Sequence, residues 1–131
     1  MPLLNWKEIL GWGVDEIEDL RFVGYSYIKQ GKYDVATTIF EALVLLSPQV
    51  AYDLQTLGAL YLQQGSNLMA LHTIEQALKL EPNHEGTLIN RTKALFALGY
   101  KKQAMIEAKA LQLNNSSHIA DQAGALISAY S

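Results

Sequence analysis

Apolar side chains recur along most of the chain at steps of three and four. Leu20, Val23, Gly24 and Tyr27 follow the i, i+3, i+4, i+7 spacing of one helical face; a break falls at Gln30-Gly31-Lys32, and Ala36, Ile39, Phe40 and Leu43 form a second face. The succession returns as Leu54, Leu57, Gly58 and Tyr61, then Gly65, then Ala70, Ile74 and Ala77. Gly31, Gly65 and Gly99 stand 34 residues apart, as do Ala36, Ala70 and Ala104. Gly24 and Gly58, Tyr27 and Tyr61, and Pro48 and Pro82 keep that register for two copies, while the third reads Thr92, Leu95 and Ser116. A period of this length signals stacked units, each too small to bury its apolar face alone.

Each unit therefore predicts two helices joined by a tight turn. Gly31 suits the left-handed conformation that ends a helix, Gly24 and Ala36 allow two helices to approach closely, and Pro48 belongs in the connection that follows. The units run 17–50, 51–84 and 85–118, with helix pairs at about 17–47, 51–81 and 85–114. Ile119, Ala123, Leu126 and Ile127 predict a last amphipathic helix from about 118 that caps the stack. Residues 1–16 lie outside the repeat, where Asn5 with Glu8 three residues on reads as a helix start that stops near Gly11 or Gly13. Asp15, Glu16, Glu18 and Asp19 then crowd the start of the next helix, where its dipole favours anions.

These residues resemble the tetratricopeptide repeat, whose pattern sets a large residue, Leu, Gly and Tyr, then Gly, Ala, an aromatic, Ala and Pro at this spacing. The match is strong for 17–50 and 51–84 and weaker for 85–118; Leu20 and Leu54 stand where tryptophan is usual. The resemblance implies an all-α solenoid of three helix-turn-helix units whose concave groove is lined by the first helix of every pair.

Half of the 131 residues are apolar and 18% are charged, enough for a core in a chain of single-domain size. With no cysteine, thiol chemistry, disulfides and cysteine zinc sites are excluded, and a cytoplasmic address is expected. The net charge of −3 disfavours nucleic acid, and no apolar run approaches the length of a membrane span. The one basic stretch runs through Arg91, Lys93, Lys101, Lys102 and Lys109, read as a solvated face or a contact for an acidic partner. His72, His84 and His118 lack metal-site spacing and are assigned to the surface or to packing between units. Gly11-Trp12-Gly13 and Gly31-Lys32-Tyr33 lack the residues of a nucleotide loop. No catalytic, metal or cofactor site is expected.

If the core stripe is Leu20, Val23, Gly24 and Tyr27, the opposite stripe carries Arg21, Phe22, Tyr25 and Ile28. The repeat adds Tyr52, Gln55, Ala59 and Leu62, then Ile89, Asn90, Lys93 and Phe96. This mostly apolar and aromatic set reads as a peptide channel, with Arg21, Gln55, Asn90 and Lys93 for the ligand's polar groups. The carboxylate clamp of chaperone-binding tetratricopeptide adaptors is not expected, because its positions read Arg21, Tyr25, Thr56, Gly86 and Asn90.

Gly31-Lys32-Tyr33 followed by Phe40-Glu41-Ala42-Leu43 and Leu46 is similar to the first repeat of the chaperones that hold translocator subunits in bacterial type III secretion. The resemblance implies a cytosolic, non-enzymatic binder that keeps an aggregation-prone client, a translocator or needle subunit, monomeric until export. A scaffold joining partners in an assembly complex is the alternative. Leu3, Trp6, Leu10 and Trp12 put apolar surface on more than one side of the first helix, which reads as one face docked on the first unit and another for a homodimer or co-chaperone, against simple capping.

Overall fold

The computed structural model describes residues 5–131, and these form eight helices and their connections. A short helix α1 (Trp6–Leu10) precedes three antiparallel pairs, α2 (Val14–Lys29) with α3 (Tyr33–Leu46), α4 (Ala51–Gln63) with α5 (Asn67–Leu80), and α6 (Glu85–Ala97) with α7 (Lys101–Gln112). The last helix, α8 (Ser117–Tyr130), packs on α6 and α7. Fold class and helix order agree with the repeat read from the sequence.

Local chemistry sets the boundaries. The Asn5 side chain accepts the Glu8 N–H at 3.2 Å to start α1, and Gly11 ends it in the left-handed region at φ 69°. Helix α2 starts at Val14, three residues before the expected 17, because Glu16 reaches back to the Gly13 N–H at 3.1 Å and satisfies a first-turn donor. At the first turn, Gly31 N–H donates to the Ile28 carbonyl at 2.9 Å and Lys32 N–H to the Tyr27 carbonyl at 3.0 Å. Gly65 and Gly99 repeat that geometry, all three at positive φ.

Within each pair the helices meet at small residues. A Cβ placed on Gly58 would lie 2.8 Å from Ile74 Cγ1, and one on Gly24 2.8 Å from the Phe40 ring. Ala36, Phe40, Leu43, Ala70, Ile74 and Ala77 are wholly buried. In the third pair the glycine column holds Thr92, buried, with its hydroxyl donating to the Leu88 carbonyl at 3.1 Å. Arg91, expected in a basic surface stretch, bridges Glu107 of α7 at 2.5 Å and Glu75 of α5 at 3.6 Å, so it stitches units two and three.

One expected core residue is not in the core. Val23 is 43% exposed, whereas Leu57, its equivalent one repeat on, is 5% exposed. That column packs on the unit in front, and among the described residues nothing covers it in α2: α1 lies against α3 instead.

Candidate functional site

The first helices of the three pairs, α2, α4 and α6, each contribute part of their outer stripe to one cavity. Tyr25 and Ile28 come from α2, Tyr52, Gln55, Thr56, Ala59, Leu60 and Gln63 from α4, and Gly86, Thr87 and Asn90 from α6; together with Tyr33 and His84 they line an open cavity of about 460 Å³. Among the described residues, no Asp, Glu, Lys or Arg lines it. Three tyrosines give it large apolar surface with polar tips, and Gln55, Gln63 and Asn90 offer amide donors and acceptors suited to a peptide backbone. Gln55 is steered by its Nε2, which donates to Glu81 at 3.1 Å. The ring of Tyr52 meets Phe40 edge-on with centroids 6.4 Å apart, which anchors its base in the core.

The structure brings together Tyr25, Ile28, Tyr52, Gln55, Ala59 and Asn90 of the residues singled out in the sequence. The others go elsewhere. Arg21 turns to α4, where Nε and Nη2 donate to the two carboxylate oxygens of Asp53 at 2.7 and 2.8 Å, while Nη1 donates to Glu18 at 2.6 Å. The hydrogen bond to Asp53 outweighs the cost of burial and holds the guanidinium above its already high range. Phe22 is 70% exposed beside the cavity, Leu62 leans on the core, and Lys93 is half-buried outside the lining.

Two assignments are corrected. Ile89 is buried against Ile119 and Ala123 of α8. Phe96 is 4% exposed, because the ring of Tyr130 stacks on it with centroids 4.3 Å apart and planes 9° from parallel. Both corrections have one cause: α8 occupies the place of the first helix of another unit, and Tyr130 lies 34 residues beyond Phe96, in the same column as Ile28 and Leu62.

Reasoning from the sequence missed Tyr33, Gln63 and His84. His84 caps α6, its Nδ1 accepting the Thr87 N–H at 3.2 Å, which brings a residue assigned to surface or packing to the cavity mouth. The signal was its place just before a helix start. Tyr33 opens α3 directly after the left-handed turn, a position that single-helix stripes do not capture.

At the N-terminal end, a second cavity of about 470 Å³ is lined by Lys7, Glu8, Trp12, Val14, Ile17, Glu18, Arg21 and Val50 among others, and of these charges Glu18 and Arg21 pair with each other. Of the four residues read as a contact surface, Leu3 and the side chain of Trp6 lie outside the described residues. Leu10 is exposed, and Trp12 is half-buried against the first core cluster.

Residues 22–50 and 54–84 match the tetratricopeptide repeat family model. The third unit, with Thr92 and Ser116 in place of glycine and proline, lies outside both matches. No curated protein matches the sequence. In structure the chain is similar to the type III secretion chaperone SycD of Yersinia enterocolitica, solved with a peptide of the translocator YopD, at a TM-score of 0.80 and 19% identity, covering 90% of this chain and 94% of that one. PcrH of Pseudomonas aeruginosa, solved with the chaperone-binding region of PopD, gives 0.77 at 26% identity over 92% and 94%. The first tetratricopeptide domain of Spaghetti (RPAP3), bound to an HSP90 peptide, gives 0.76 at 21% over 89% and 94%.

Proposed function

We propose that this chain, which carries tetratricopeptide repeats and resembles the translocator chaperones in fold, is a cytoplasmic, non-enzymatic chaperone of a type III secretion substrate. Its client is a translocator subunit, held by an extended apolar segment along the wall of Tyr25, Tyr52, Ala59 and Asn90. The observation that carries the reading is the uncharged lining of that cavity, which favours apolar side chains and backbone amides over an acidic chain end. Tyrosines at the centre of such a contact contribute most of the affinity, and the amide side chains fix register. Binding the unassembled client lowers the free concentration able to aggregate, which needs neither ATP nor covalent chemistry. Leu10, exposed on α1, fits a contact to a second copy or a co-chaperone.

Co-expression with a hydrophobic translocator subunit tests this reading. The client should stay soluble in a complex that Tyr52→Ala disrupts while helicity is unchanged. A needle subunit solubilised in its place would reassign the client. A chain that is stable alone and retains neither would favour the scaffold reading, in which two folded partners are joined.

A further inference from the structure

Repeat symmetry exposes an unfilled position at the N-terminal end of the stack. Asp53 on α4 is wholly buried and held at two points by Arg21 of the helix in front, and Leu57 beside it is also buried. One repeat earlier the same two columns are occupied by Asp19 and Val23. There the carboxylate is exposed, no cation lies within ion-pair distance among the described residues, and Val23 is open to solvent with Phe22 next to it. Helix α1 does not cover this face, since its contacts go to α3.

We propose that this face of α2 docks a helix of a partner protein that brings an arginine to Asp19 and apolar side chains to Phe22 and Val23, as the first unit does for the second. Arginine is the match because a guanidinium meets both carboxylate oxygens at once, which an ammonium does not. A second copy of the chain is a poor source: its only arginines are Arg21 and Arg91, and both are engaged in ion pairs. The apolar pair supplies contact area, and the charge sets register and partner choice. Neither Asp19 nor Val23 lines the tyrosine-lined cavity, and Phe22 borders it without lining it.

The test uses the full chain and two fluorescein-labelled, lactam-stapled helical peptides of about 14 residues, a length at which unstapled helices are marginal. Both carry one leucine stripe; one has a single arginine beside it and the other a glutamate. The arginine peptide should bind and the glutamate peptide should not. Asp19→Arg should weaken the first at least tenfold and create binding of the second, Val23→Glu should weaken the first, and Tyr52→Ala should change neither. Failure of the arginine peptide to bind, indifference to Asp19→Arg, or loss of binding with Tyr52→Ala would overturn the proposal. So would a dimer in light scattering that Val23→Glu converts to a monomer, since a second copy would then fill the face.

Discussion

Arg21 and Asp53 tie the first unit to the second through a two-point grip, with the guanidinium donating to both oxygens of a carboxylate that has no solvent exposure. An ionised carboxylate taken out of water costs several kcal/mol unless charge and hydrogen bonds compensate it, and here one side chain supplies both. The grip explains why a residue placed by sequence in the peptide channel is not free to meet a peptide.

Removing the cation alone leaves the anion stranded. Arg21→Met should therefore destabilise by about 3 kcal/mol or more, read as a lower urea midpoint. Arg21→Met with Asp53→Leu should recover most of that loss, because the buried charge is gone. If the double variant were less stable than the single one, the pair would be contributing net stability rather than offsetting a burial cost.

Close approach at Gly58 is the second test. A side chain there meets Ile74 Cγ1 at 2.8 Å and must push α4 from α5, so Gly58→Leu should cost about 1 to 3 kcal/mol. Its melting temperature should fall, whereas Gly124→Ala, facing only the flexible end of Gln112 at 3.4 Å, should leave it nearly unchanged.

The repeat made the helices legible, because glycine and alanine at a fixed spacing report backbone approach directly: Gly31 and Gly65 end their helices, and Gly24 and Gly58 sit at the crossings, where the period places them. The cavity lining was legible where a stripe residue has only solvent beyond it, as at Tyr25 and Tyr52. It failed at Ile89 and Phe96, since one helix's periodicity says nothing about a later helix that lies on its outer face. Arg21 failed for a related reason: its partner, Asp53, is 32 residues away, and neither residue type announces burial.

Tyr61 supplies a pH test. Burial, then a hydrogen bond to Glu41 and the charge of that carboxylate, push its phenol up to about 12. The folded state thus favours the neutral form more than the unfolded chain does, so the associated stability is present below about pH 10 and is lost as pH rises toward 12. Absorbance at 295 nm should show one tyrosine ionising well after the exposed ones. Tyr61→Phe should remove that late step and flatten the alkaline fall in stability; a late step that survives the substitution would belong to another tyrosine.

The two aromatic residues that sequence placed in one channel should separate in function. Tyr52 is 45% exposed on the cavity wall, so Tyr52→Ala should cost client affinity by about 2 kcal/mol or more with little change in melting temperature. Phe96 is sealed beneath Tyr130, so Phe96→Ala should act on the fold: it opens a cavity under α8 and costs about 3 to 5 kcal/mol, the range for large aromatic deletions in a core. Tyr130→Ala removes only the outer ring of the stack, and the pair's own contribution of about 0.5 to 1.5 kcal/mol sets the scale of that loss before burial is counted. Hydrogen exchange should then show α8 amides less protected in both variants and unchanged in Tyr52→Ala. Full client affinity in folded Phe96→Ala, measured below its melting transition, would confirm that this ring supports the groove from within; a direct loss of affinity with α8 still protected would mean that the client displaces Tyr130 and takes its place on the ring.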